Sequence, residues 1–301
     1  MTVAPDILGL GEPLIEMVRL SDLIDGRPAY VQGFGGDTST AIIAAARQGA
    51  RTGYITALGD DMFGEALRAL WTRECVDHRH VLTRENRSTG VCFIDPDPAG
   101  RRFTYARDAS AATSFSVEDL PEADIAGAKV IHFSGITLAI SPVMQAAALE
   151  ATRIAKSNAT LISVDLNHRP RLWGKNEAVS VLNDVLSRAD IVFASDDETE
   201  YLFVDATPDA AADRFLSLGA KIVIAKQGAK GALLATEDFR LPIPPAPSEP
   251  VDSSGAGDSF AGAFLAWYLE TNDPQLAAGK AAEVAAATVS GLGAVEPIPG
   301  R

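Results

Sequence analysis

From residue 130 onward, short apolar runs alternate with amphipathic stretches along the chain. The runs fall at 130–134, 160–165, 191–194 and 221–225, whereas 141–156, 175–188, 196–203 and 209–218 repeat apolar residues at helical spacing. Short strands that are apolar throughout, separated by helices, predict a parallel sheet covered on both faces. Ligands then gather beyond the carboxyl ends of its strands. In the first half, residues 7–18 read as a strand that continues past a glycine bend, 54–58 as a strand and 62–74 as an amphipathic helix. Gln32-Gly-Phe-Gly-Gly-Asp-Thr-Ser-Thr40 supplies a glycine turn and capping residues before an alanine-rich helix closed by Gly49. Polar-alternating strands at 89–96 and 102–107, joined by Asp95-Pro-Asp-Pro-Ala-Gly100, predict a hairpin. That hairpin and the segment before Gly33 read as an insertion standing off the main sheet.

Towards the end, Pro242, Pro244, Pro245, Pro247 and Pro250 hold the chain extended up to Val251-Asp-Ser-Ser-Gly-Ala-Gly-Asp258. Beyond it Phe260, Ala261, Phe264, Leu265 and Tyr268 recur at helical spacing, so a helix begins near Gly257, and 274–290 forms a last alanine-rich helix.

With 301 residues, 47% hydrophobic and 22% charged, the chain is long enough for one large domain or two small ones. A formal charge of -14 argues against binding nucleic acid or an anionic membrane, so anionic ligands must be met by local cations. No apolar run approaches the roughly 20 residues of a membrane span, and Met-Thr-Val-Ala-Pro-Asp lacks the character of a signal peptide, which leads us to expect a cytoplasmic protein. Cys75 and Cys92 have neither zinc nor CxxC spacing and are expected as two buried thiols. His78 and His80, without further Cys or His nearby, are expected in a solvated turn rather than on a metal.

The chemistry concentrates at Gly255, Ala256, Gly257 and Asp258. Bare backbone at a helix start, where the first N–H groups lack partners and sit at the positive end, suits phosphate oxygens. Asp258 stands in that first turn, where the dipole favours its ionised form and where it could take a proton from a hydroxyl. A plain N-terminal cap uses the same residue types. Gly9-Leu-Gly11 is no dinucleotide fingerprint, since Leu14 stands where the third glycine belongs, and no G-x-x-x-x-G-K-[ST] occurs. Gly35 and Gly36 would let a ligand come close to the backbone. Tyr105 and Arg107, two apart on a strand, would share a face and either hold a carboxylate or form a solvated hairpin face. Three clusters fall at strand ends: Asp165-Leu-Asn-His-Arg169, Ser195-Asp-Asp-Glu198 and Lys226-Gln-Gly228. Arg169 is placed for an acidic substrate, and the acids from Asp196 to Glu198 either organise Mg2+ through water or start a helix.

Taken together these motifs resemble the ribokinase-like (PfkB) carbohydrate kinases, and among them those that act on 2-keto-3-deoxygluconate. Gly33-Phe-Gly-Gly-Asp-Thr38 is similar to their glycine turn, Arg102-Phe-Thr-Tyr-Ala-Arg107 with Ala109-Ser-Ala-Ala112 to their lid strand, Asn167-His-Arg-Pro-Arg-Leu-Trp173 to their sugar-acid loop, and Asp252-Ser-Ser-Gly-Ala-Gly-Asp258 to D-x-x-G-A-G-D. The resemblance implies a single kinase domain over 1–301, a three-layer α/β/α fold with a mostly parallel central sheet, and a small β-sheet lid inserted at about 12–32 and 88–107. It implies transfer from ATP to the terminal hydroxyl of the sugar acid, with Asp258 as base and Gly255, Ala256, Gly257 and Asp258 as the anion hole. Gly35, Gly36, Tyr105, Arg107 and Arg169 would hold the substrate. Ser195, Lys226, Gly228, Gly255 and Gly257 would line the nucleotide, Glu198 would act on Mg2+ through water, and carbonyls near Asp252 and Ser254 would bind a monovalent cation such as K+. Dimers through the lids are implied as well. Cys92 replaces a lid tyrosine and Thr40 an asparagine of the family pattern, which bears on the substrate more than on the reaction. The alternatives are a related keto sugar or sugar acid, such as fructose or the galactonate epimer, and a catalytically silent sugar sensor.

Overall fold

In this computed structural model, residues 4–95, 102–203 and 207–301 are described. In chain order the strands are β1 (Ile7–Leu10), β2 (Leu14–Ile24), β3 (Arg27–Gly35), β4 (Thr52–Gly59), β5 (Asp77–Arg84), β6 (Val91–Asp95), β7 (Arg102–Ala106), β8 (Val130–Ser134), β9 (Leu161–Asp165), β10 (Ile191–Ser195), β11 (Ile222–Lys226), β12 (Ala232–Ala235) and β13 (Arg240–Ile243). The helices are α1 (Asp37–Arg47), α2 (Met62–Arg73), α3 (Glu122–Gly127), α4 (Gly135–Ala139), α5 (Pro142–Ser157), α6 (Lys175–Leu186), α7 (Asp196–Leu202), α8 (Pro208–Leu218), α9 (Ala256–Thr271) and α10 (Pro274–Val289).

The large sheet runs β13-β12-β11-β10-β9-β8-β1-β4-β5. It is parallel from β11 to β5, and only the β12–β13 end is antiparallel. Successive strand residues point to opposite faces, so Val192 and Ala194 join one core while Ile191 and Phe193 join the other. The first core is closed by Met144, Leu182 and Phe215 from α5, α6 and α8. The second is closed by Ile42, Leu67, Phe264 and Val284 from α1, α2, α9 and α10. With helices on both faces, no polar alternation is needed in the strands between them.

The small sheet runs β3-β2-β6-β7, with β2 and β6 parallel and the outer pairs antiparallel. The apolar run expected as one strand at 7–18 therefore breaks at Gly11 to Pro13 and serves two sheets. The hairpin expected at 89–107 is present as β6 and β7, and its connecting residues 96–101 lie outside the described ones.

Several elements depart from expectation. The His78–His80 stretch is not a turn but the edge strand β5, in which only Val81 is fully buried, so its polar pattern masked a parallel pairing with β4. His80 is tied to Asp124 at 2.6 Å and His78 to Thr72 at 3.0 Å. Pro242 sits inside β13, where an edge strand tolerates a missing N–H. Cys75 is exposed, in contrast to the buried Cys92, and both are free thiols. Helix α1 starts at Asp37, four residues earlier than the alanine run. Among the described residues no helix is long and apolar enough to cross a membrane.

Candidate active site

The start of α9 is held by its own turn. Gly255 has φ +71°, and a Cβ there would lie 2.6 Å from the carbonyl oxygen of Ala294. Buried Asp252 accepts from the Ser254 and Gly293 N–H groups, each at 2.8 Å, which ties the turn to the C-terminal segment. Asp258 follows in the first turn of α9.

Helix α1 brings a second acid to the same place. A Cβ on Gly262 would lie 1.9 Å from the Ala41 carbonyl oxygen, so α9 crosses α1 at a distance only glycine allows. The two helix starts converge, and Asn167, at the end of β9 with φ +32°, bridges them. Its amide donates to Asp37 at 3.1 Å and to Asp258 at 3.4 Å, while its backbone N–H donates to Asp165 at 3.2 Å. Lys226, at the end of β11, donates to Asp165 at 2.6 Å, and its ammonium lies 3.1 Å from the position of a Cβ on Gly257. A side chain at that glycine would push the cation off the helix start.

These neighbours decide the charge states. Burial raises the Asp258 carboxyl to about 7, with help from Asp37 and Asp165 and against the pull of Lys226 and Arg169. The expectation that the helix dipole keeps Asp258 ionised is thus corrected: desolvation and two nearby carboxylates outweigh it. Burial also lifts Glu198, assisted by Asp165. For Lys226 burial works downward, but Asp165, Glu198 and Asp258 overcome it and hold the ammonium above its ordinary range.

Beside Lys226 and Gly257 opens a cavity of about 310 Å³, lined by Gly228, Pro250, Ser253, Phe260, Ala285 and Val289 among others. Its walls are mostly apolar, which suits a flat heteroaromatic ring more than a sugar. Ser195 pairs in register with Lys226 across β10 and β11 and caps α7, its N–H bonded to the Glu198 carboxylate at 3.0 Å. The other Glu198 oxygen lies 3.5 Å from Arg169, whose side chain is 48% exposed. Glu198 thus has a structural task as a cap partner. Among the described residues no group of three or more His, Cys, Asp or Glu side chains is arranged to hold a metal ion.

From the small sheet come Tyr105, on β7, and Arg107, whose guanidinium stands 5.5 Å over the Tyr105 ring. Arg107 lies just past the strand and forms an ion pair with buried Glu12. Gly35 and Gly36 are not open to a ligand on the side a Cβ would occupy. That space holds the Glu16 carboxylate at Gly35 and the Glu12 carbonyl at Gly36, 2.3 and 2.5 Å away. Gly228, in contrast, faces open space.

Asp258, Lys226, Arg169 and Glu198 thus lie within reach of each other's fields, with Ser195 and Gly228 beside Lys226 and Tyr105 in the field of Arg169. Asp37, Asn167, Asp165 and Glu12 are the participants that the sequence did not single out. Asp165 and Asn167 sat in a cluster already marked at a strand end, and Glu12, charged between apolar residues, was the one signal left unused.

The pfkB family carbohydrate kinase model matches residues 8–301. The chain is 32% identical to 2-dehydro-3-deoxygluconokinase of Dickeya dadantii, over 96% of this chain and 96% of that one. It is 32% identical to fructokinase-1 of Oryza sativa subsp. japonica, over 86% of this chain and 81% of the relative. An Escherichia coli structure solved in complex with ATP and Mg2+ superposes with a TM-score of 0.89 at 28% identity, covering 98% of this chain and 96% of that one.

Proposed function

The chain belongs to the pfkB family of carbohydrate kinases, and from that premise we propose that it transfers the γ-phosphoryl group of ATP to the terminal hydroxyl of 2-keto-3-deoxy-D-gluconate, giving the 6-phosphate and ADP. This sugar acid is the 2-dehydro-3-deoxygluconate in the name of the Dickeya relative. The observation that carries the reaction is the meeting of Asp258, the start of α9 and the Lys226 ammonium at the edge of the apolar cavity. The cavity takes the adenine, and Gly228 and Ser195 border the phosphates.

The sugar oxygen attacks the γ-phosphorus as the bond to the β–γ bridging oxygen breaks, and its proton passes to Asp258. The amides of Gly255, Gly257 and Asp258, together with Lys226, face the charge on the equatorial oxygens, whereas the Ala256 N–H, expected among them, donates to the Ser253 carbonyl at 3.4 Å. Such chemistry asks the protein for alignment and charge stabilisation, and the site offers little else. Mg2+ arriving with ATP supplies further charge neutralisation. It needs only one or two carboxylates, and Glu198, acting through water, is the group beside Lys226 that fits. Carbonyls of the turn at Asp252 and Ser254 are the place for a K+ ion.

Arg169, the half-exposed cation near Asp258 and Tyr105, is the group for the substrate carboxylate. A coupled ADP-release assay over sugar acids and fructose tests the assignment. Arg169→Ala is expected to cut kcat/KM for the acid at least about tenfold and for fructose less than about threefold. Equal losses on both would remove the carboxylate role.

One observation favours a second reading, a neutral keto sugar such as fructose: Arg107, the other cation expected at the carboxylate, already has Glu12 opposite it. The same assay separates the two.

The small sheet acts as the lid of a single kinase domain, and two chains pair through it. Tyr30 and Phe93 support this, since both are exposed on one face of that sheet, edge to face at 5.9 Å.

A further inference from the structure

Four strands make the small sheet, and the chain passes between the two sheets at four places, all of which meet at Glu12. The residue itself lies in the first passage, between β1 and β2. Its carbonyl oxygen would be 2.5 Å from a Cβ on Gly36, in the passage from β3 to α1. Its carboxylate oxygen Oε1 would be 2.8 Å from a Cβ on Gly90, where the chain rises into β6. In the passage after β7, the Ser110 hydroxyl donates to Oε1 at 2.5 Å and Arg107 pairs with Oε2. Glu12 and Ser110 are buried, and Arg107 is nearly so.

Such a carboxylate does more than tie the four crossings together. Arg107 stands over the ring of Tyr105, which also lies in the field of Arg169. A guanidinium without a counter-ion there would be a second cation for the sugar. With Glu12 opposite, its charge is compensated at short range, and Asp37 adds negative charge beside Glu12.

We propose that Glu12 is a positioning residue that sets sugar specificity: it fixes Arg107 beside Tyr105 as a charge-compensated pair and leaves Arg169 as the cation that meets a substrate carboxylate. The proposal rests on the kinase function above and adds to it a residue that touches no substrate.

The test is calorimetric titration of the full chain with 2-keto-3-deoxygluconate and with fructose. Glu12→Gln keeps an acceptor for Ser110 but removes the charge, so Arg107 becomes available. The affinity ratio of acid to fructose is expected to rise at least about fivefold. A role confined to bracing weakens both sugars alike, so an unchanged ratio overturns the proposal. If Glu12→Gln fails to fold, the double variant E12Q/R107M, which leaves neither charge orphaned, takes its place. Its ratio is expected within about twofold of the parent, and a larger fall makes Arg107 itself the carboxylate ligand and overturns the proposal. Should the parent protein phosphorylate neither sugar, the substrate assignment fails, and the role of Glu12 is still decided by the ratio for whichever acid and neutral pair of the panel binds.

Discussion

Over Asp258 two effects oppose each other. The start of α9 favours its anion, whereas burial and the carboxylates of Asp37 and Asp165 favour the acid and prevail, placing the group at about 7. As the proposed base, Asp258 would then take up its proton near neutral pH. The rate should therefore fall about tenfold per pH unit below that value, and kcat/KM measured from pH 5 to 9 checks it. Asp37→Asn removes one of the two repelling charges and moves the acidic limb to lower pH; a limb that stays in place dissociates Asp37 from the base. Asp258→Asn is expected to lower turnover at least about a hundredfold while ATP and sugar still bind. The same variant reports on stability. The folded-state value lies above the 3.8 of a free aspartate, so ionising Asp258 costs the fold stability as pH rises through the window from 3.8 to about 7. Asp258→Asn should consequently melt above the parent at pH 8 and no higher at pH 4, as thermal denaturation would read.

At the scale of elements the site depends on two helix starts meeting. Helix α9 is apolar nearly all round because it is wedged between α1 and α10, and Gly262 lets it lie against the Ala41 carbonyl. Gly262→Ala places a methyl 1.9 Å from that oxygen and forces α1 and α9 apart. A loss of about 1–3 kcal/mol is expected, visible as a lowered melting temperature, with kcat falling further than the residual stability explains because Asp37 and Asp258 separate. The start of α9 was legible from prolines, glycines and the apolar spacing after Asp258. Likewise α5, α6, α8 and α10 were found within a few residues, because periodicity and caps are local. Strands β5, β12 and β13 were not. Each lies at or next to an edge of the large sheet, where burial is one-sided or the run is only four residues long, and pairing with a neighbour decides the conformation.

For the whole molecule, a large sheet sandwiched by helices carries a small sheet that leaves apolar rings in solvent. Phe93→Glu should convert the proposed dimer to a monomer in size-exclusion chromatography with light scattering. A parent protein that is already monomeric would end that proposal.

Read alone, the sequence determined the alternation of strands and helices and thereby the sheet-and-helix layers. It also determined the glycine turn and the helix start that carries Asp258, because each of these is written in neighbouring residues and their spacing. Only the tertiary structure decided that Glu12 pairs with Arg107, that Asn167 joins Asp37 to Asp258, and that burial lifts the Asp258 carboxyl to about 7. Those facts depend on groups 91 or more positions apart in the chain, and on the water removed when they are brought together. No local pattern encodes either the partner or the desolvation.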